Sequence, residues 1–119
     1  MNHLNNGVIK YYKDLLRVND FDIFIYEQVA LDSYGACKAL FNSDAAVIRI
    51  ASELSFEEKV STLIHEILHI KDRDERGIVD EVVEGQALTM YTRFHERFIE
   101  GQAQMIYKLT IDKVKQLET

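Results

Sequence analysis

The pentapeptide His65-Glu66-Ile67-Leu68-His69 is the stretch of this sequence best equipped for chemistry. Two histidines four residues apart on a helix are separated by about one turn, roughly 6 Å along the axis, so both imidazoles can converge on one tetrahedral ion. Glu66, one residue after the first histidine, then sits beside that ion without having to bind it. Its carboxylate is placed to take a proton from a water that zinc acidifies to a pKa of about 7. Five residues thus offer two ligands and a base. With 4 histidines and 11 glutamates among 119 residues, chance alone produces the pattern in roughly one sequence in a hundred, so its meaning depends on its context. The bland alternative is a solvated helix face carrying two surface histidines.

A catalytic zinc usually takes three protein ligands and keeps one position open. Downstream glutamates that can supply the third are Glu84, 15 residues after His69, with Glu81, Glu75 and Glu100 as alternatives. A turn through Gly77 lets a second helix fold back across the first. Asp80, Tyr91 and His95 fall near the same helical face as Glu84. Asp80 could orient a ligand histidine or cap the helix. Tyr91 or His95 could donate to an oxyanion or simply belong to core or surface.

The motif needs a helix that starts cleanly. Leu54-Ser55-Phe56-Glu57-Glu58 reads as such a start, because Ser55 can cap the free backbone amides while Glu58 reaches back. The predicted helix runs from about Phe56 to Lys71 with Val60, Leu63, Ile67 and Ile70 toward the core. At about 100° per residue Ile67 lies roughly opposite both histidines, which share the other face. Upstream, apolar residues at helical spacing predict a first helix from Val8 to Val18. Phe21 to Tyr26, Ala36 to Phe41 and Ala46 to Ile50 favour strands, with a hairpin-like turn at Asn42-Ser43-Asp44 and punctuation at Ser33-Tyr34-Gly35. The strand around Val47-Ile48-Arg49-Ile50 is expected at the sheet edge, where an extended substrate would pair. Downstream, Asp72 to Gly77 is a polar break, Asp80 a cap for a long helix to about Phe98, and Phe98 to Leu117 is helical again. Whether Glu100-Gly101 separates those two helices is left open. Ile99, Ala103, Ile106 and Val114 give the last segment an apolar stripe that core packing or a partner explains equally well. Glu84-Gly85-Gln86-Ala87 also recurs as Glu100-Gly101-Gln102-Ala103, too briefly to imply a repeat architecture.

Together these elements predict an α+β fold in one domain spanning 1–119: an N-terminal helix, a small three-stranded sheet, the His-Glu-x-x-His helix and C-terminal helices. A domain of this size buries enough surface to fold without a staple, so a bound metal is expected to be functional. The composition, 47% hydrophobic and 29% charged, is that of an ordered globule. A formal charge of −6, a pI near 5.1 and no run of Lys or Arg argue against nucleic acid as a partner. Cys37, the only cysteine, excludes an intrachain disulfide and thiolate clusters, and reads as a small strand residue. Met1 to Gly7 lacks the pattern of a signal peptide and no run approaches a membrane span, so cytoplasmic residence without a membrane partner is expected. Nothing in the sequence sets the oligomeric state.

The segment Val82 to Tyr91 is similar to the Glu-Gly-x-Ala stretch of many gluzincins, zinc peptidases in which a His-Glu-x-x-His helix is followed by a second helix bearing a glutamate ligand. By that match Glu84 inherits the third-ligand role. The order strand, turn, strand, Leu-Ser-x-Glu-Glu and then the metal motif resembles the small ImmA/IrrE-type peptidases of phages and mobile elements over about Phe21 to Phe94. The chain lacks their glutamate-alanine-asparagine pattern and the proline after it. It also has Leu88 where some gluzincins, four residues after the glutamate ligand, place an aspartate that supports the site. The resemblance implies a minimal zincin-like fold, zinc held by His65, His69 and Glu84, Glu66 as the base, and a protein or peptide substrate. It further implies limited proteolysis of a regulator such as a phage or mobile-element repressor. Two competing expectations are a metal-binding regulatory module without peptidase activity and a helical interaction domain with no metal.

Overall fold

The computed structural model describes residues 3–39, 45–76 and 86–117, and the backbone alone at 37–39, 72–76 and 86–95. Its elements are α1 (Asn6–Leu15), β1 (Asp22–Gln28), β2 (Gly35–Ala39), β3 (Ala45–Ala51), α2 (Phe56–Arg76) and α3 (Gln86–Leu117). The fold is α+β, as the patterning predicts.

Helix α1 begins at Asn5, whose side chain accepts from the Val8 amide at 2.9 Å. It ends three residues before the expected Val18, because Arg17 takes a left-handed backbone (φ 59°). The Val18 amide then bonds the Lys13 carbonyl at 3.0 Å and the Arg17 amide that of Asp14 at 3.3 Å, a Schellman closure that buries Val18.

The sheet has the order β1-β3-β2, with β3 parallel to β1 and antiparallel to β2. This corrects the expectation that Val47 to Ile50 forms an edge: β3 is the central strand. The physical reason is its composition. Arg49 is its one charge, and Ala46, Ile48 and Ile50 alternate into the core, whereas β1 carries Asp22 and Glu27 and β2 carries Lys38. Polar and charged residues suit edges, where backbone groups meet water. The hairpin-like turn at Asn42-Ser43-Asp44 lies outside the described residues. The strands it would join do pair antiparallel, Gly35 against Ile50 through Ala39 against Ala46. One sheet face is covered by α2; on the other, Phe24 and Tyr26 are exposed beside Val47 and Arg49.

Helix α2 opens with the expected capping box: the Glu58 amide donates to Ser55 Oγ and the Ser55 amide to Glu58 Oε1, each at 3.2 Å. Val60, Leu63, Ile67 and Ile70 are buried, together with Ile64 and Leu68. Each contributes roughly 2 kcal/mol of apolar burial, so the face opposite the histidines anchors the helix. Lys59 is also buried, and its ammonium donates to Glu27 of β1, pinning α2 to the sheet. The helix runs to Arg76, five residues beyond the expected Lys71, since Asp72-Arg73-Asp74-Glu75-Arg76 contains no glycine or proline to stop it. Gly77, the expected stop, lies outside the described residues, as do Asp80, Glu81, Glu84 and Gly85.

From Gln86 to Leu117 the chain is one 32-residue helix, passing Glu100-Gly101 unbroken. Glycine there costs about 1 kcal/mol relative to alanine, but Ile99 and Ala103 on either side, and Val114 further on, are buried and hold the helix in place. The apolar stripe of the last segment therefore belongs largely to the core. Across α1 and α3 the Thr110 hydroxyl donates to the Ile106 carbonyl at 2.6 Å, so at 2.7 Å Tyr12 must donate to Thr110. At the chain ends Asn5 Nδ2 donates to the Leu117 carbonyl at 2.7 Å. No helix among the described residues is long and apolar enough to cross a membrane.

Candidate metal centre

Anchored by its apolar face, α2 turns His65 and His69 toward α3, which runs antiparallel beside it. The two rings lie edge to face with centroids 4.7 Å apart, and their Nε2 atoms approach to 3.0 Å. Glu96 of α3 completes the cluster: its Oε1 is 3.1 Å from His69 Nε2 and its Oε2 is 3.5 Å from His65 Nε2. One ligand atom from each of the three residues lies within 4.8 Å of the others. For ligand arms of about 2.0–2.2 Å, the edge of a coordination tetrahedron is about 3.3–3.6 Å. The Nε2–Nε2 separation and the nearest Glu96 oxygen to each imidazole lie close to that range, with a different Glu96 oxygen facing each ring.

The remaining nitrogen of the first histidine is also fixed. His65 Nδ1 lies 3.0 Å from Glu100 Oε2. Both ring nitrogens of His65 thus have a carboxylate within 3.5 Å, Glu100 at Nδ1 and Glu96 at Nε2. A carboxylate beside a metal-binding imidazole helps to orient the ring. Glu100 is in turn held by Gln104, whose amide donates to Oε1 at 2.9 Å. Glu96 and Glu100 are one helical turn apart, so a single face of α3 brings both carboxylates to α2.

Glu66 points to the other side of His65. It is 9% exposed, and burial pushes its carboxyl above the usual carboxylate range; His65 opposes that shift and Glu96 reinforces it. Among the described residues its carboxylate accepts no hydrogen bond. It lines a pocket of about 340 Å³ that also involves Tyr34 and Gly35 at the start of β2, Thr62 and His65 of α2, and Glu100 of α3. Gly35 is required by this close approach: a Cβ there would lie 2.4 Å from Thr62 Cγ2 and 3.4 Å from Glu66 Cγ. Because Tyr34 O accepts from Ala51 N of β3, the pleat turns the N–H and C=O groups of Gly35 and Cys37 to the free edge of β2.

Of the residues singled out in the sequence, His65 and His69 converge and Glu66 lies beside them. Glu84 and Glu81 are outside the described residues, as are the side chains of Glu75, Tyr91 and His95. Glu100, one of the alternatives, does reach His65, but at Nδ1 rather than at the converging Nε2. Glu96 was not among the candidates. The available signal was its spacing: Glu96 and Glu100 stand four apart, the interval that the gluzincin resemblance sets between ligand and supporting carboxylate, and Glu100 opens the second Glu-Gly-Gln-Ala. Compared with protein-family models, curated proteins and solved structures, the chain matches none.

Proposed function

We propose that this chain is a zinc-dependent peptidase of the gluzincin type, with zinc held by His65, His69 and Glu96. The observation that carries the reading is the convergence of two Nε2 atoms and one carboxylate at 3.0–3.5 Å, with a pocket alongside and the buried Glu66, which has no hydrogen-bond partner among the described residues. Two imidazoles and a carboxylate form a donor set of catalytic zinc sites, where the ion supplies Lewis acidity for a peptide carbonyl and for water. Glu66 would take the proton from the attacking water and pass it to the leaving nitrogen. Glu100, beside His65 Nδ1, helps to orient the ring for ligation. An extended peptide adds to the free edge of β2, where the N–H and C=O groups of Gly35 and Cys37 face outward. The central position of β3 excludes the edge first expected for that role. A pocket of this size suits limited cleavage of a protein or peptide in the cytoplasm, a regulator such as a phage or mobile-element repressor being the substrate class that the family resemblance suggests.

The test is zinc content per chain by elemental analysis, after purification without chelators, for the wild type and for His65→Ala, Glu96→Ala and Glu84→Ala. About one zinc in the wild type, lost in His65→Ala and Glu96→Ala but kept in Glu84→Ala, supports the assignment. Loss in Glu84→Ala with retention in Glu96→Ala transfers the third-ligand role to Glu84. No zinc in the wild type, even after addition, refutes the metal site. Glu66→Gln should keep zinc and lose cleavage; equal cleavage by that variant removes Glu66 as the base, and zinc without cleavage of any partner protein favours a metal-binding regulatory module.

A further inference from the structure

The pocket beside Glu66 has an uneven hydrogen-bonding character. Two of its wall hydroxyls and one amide proton are committed to the protein itself. Ser33 Oγ donates to the Gly35 carbonyl at 2.8 Å and Thr62 Oγ1 to the Glu58 carbonyl at 2.8 Å. Gln104 Nε2 donates to Glu100, an orientation that leaves its Oε1 as an acceptor. What these groups present to the cavity is therefore lone pairs, and Glu66 and Glu100 add two carboxylates, the first buried and without a hydrogen-bond partner among the described residues. Among the described residues no lysine or arginine lines the cavity. The two charges of a zinc ion would be offset by Glu96 and Glu66, which leaves Glu100 as the excess charge of the wall. A cavity whose described wall carries two carboxylates and no cationic side chain is matched by a cation with several N–H groups.

We propose that this pocket takes a cationic nitrogen group of the substrate, either a Lys or Arg side chain next to the scissile bond or a free α-ammonium. About 340 Å³ accommodates either side chain. The proposal rests on the peptidase reading for its biological meaning, while the chemistry of the pocket can be measured by binding alone.

The probes are acetylated pentapeptide amides, Ala-Ala-X-Ala-Ala with X as Lys, Arg, norleucine or Glu, together with the norleucine peptide left unacetylated. Each is titrated into the full chain with and without added zinc, following the backbone amide signals of Gly35, Ser61 and Gln104 by NMR. Charge-assisted hydrogen bonds predict that the Lys and Arg peptides bind roughly tenfold more tightly than the acetylated norleucine peptide, with the Glu peptide weakest. Gln104→Lys, an exposed helix position where lysine is a good helix former, should abolish that preference by placing a fixed cation at the wall. Tight binding of the unacetylated norleucine peptide would assign the cation to the α-ammonium instead of the side chain. Equal binding of Lys and norleucine peptides, or no response at the three amides, overturns the proposal. A cation preference in a chain that takes up no zinc leaves the pocket intact and sinks the peptidase reading.

Discussion

Gly35→Ala probes the contact between β2 and the metal-motif helix. The added methyl would meet Thr62 Cγ2 at 2.4 Å, the Arg49 carbonyl oxygen at 3.3 Å and Glu66 Cγ at 3.4 Å. Carbon atoms settle at about 3.5–4.0 Å, so β2 and α2 would have to part by about 1 Å. Neither neighbour yields easily. Thr62 is β-branched and its hydroxyl is bonded to the Glu58 carbonyl, while Arg49 belongs to the central strand. Overpacking of this kind costs about 1–3 kcal/mol, and removing the glycine returns about 0.5–1 kcal/mol of backbone entropy. The expected net loss, about 1–2 kcal/mol, is read from urea unfolding as a lower midpoint at unchanged slope. Thr62→Ser deletes the obstructing Cγ2 and keeps the hydroxyl, so in that background Gly35→Ala should be nearly neutral, a coupling of about 1–2 kcal/mol. If Gly35→Ala stays within about 0.5 kcal/mol of its parent in both backgrounds, β2 does not approach α2 this closely and the pocket geometry fails with it.

Two further expectations concern charge. Glu100→Ala should weaken zinc binding roughly 10–100-fold by releasing His65 from its ligating orientation; competition against a chromophoric chelator measures this, and unchanged affinity would show that Glu100 does not orient the ring. For Glu27, burial pushes the carboxyl up, but hydrogen bonds from Lys59, His3 and the Leu4 amide outweigh it and leave the group below its ordinary 4.5. A carboxyl depressed in the folded state stabilises fully above that value and loses the contribution as pH falls through the lower folded one. Melting temperature should therefore fall more steeply with acid in the wild type than in Glu27→Gln, and parallel curves would refute the assignment. Lys59→Met, which deprives that carboxylate of its buried partner, should cost roughly 3 kcal/mol near neutral pH.

Local chemistry was legible where it acts over a few residues. Ser55 and Glu58 announce the start of α2, and Val60, Leu63, Ile67 and Ile70 reveal its buried side and hence the face of His65 and His69. Strand order is a different kind of information. The edge or central position of β3 depends on how its composition compares with that of the strands that become its neighbours, which the run Ala45–Ala51 does not show by itself. The continuity of α3 through Gly101 is likewise decided by Ile99 and Ala103 finding the core, because local propensity there is unfavourable. The carboxylates of the site illustrate the same limit. Glu-Gly-Gln-Ala occurs twice and a local match selects the first copy at Glu84, which lies outside the described residues. The antiparallel packing of α3 on α2 brings the second copy to His65, with Glu96 one turn before it.

The hydrogen bond between Asn5 and the Leu117 carbonyl makes the described chain almost a ring. A short linker could join its ends with little distortion, so circular permutants opened at an exposed loop are a realistic engineering route, since chains whose ends lie together tolerate such rewiring. The same adjacency fixes where cargo would hang. Leu117 is 17 residues beyond Glu100 on one helix, which is about 25 Å along the axis, so a tag, tether or second module attached at either end emerges far from His65 and leaves the mouth of the pocket uncovered.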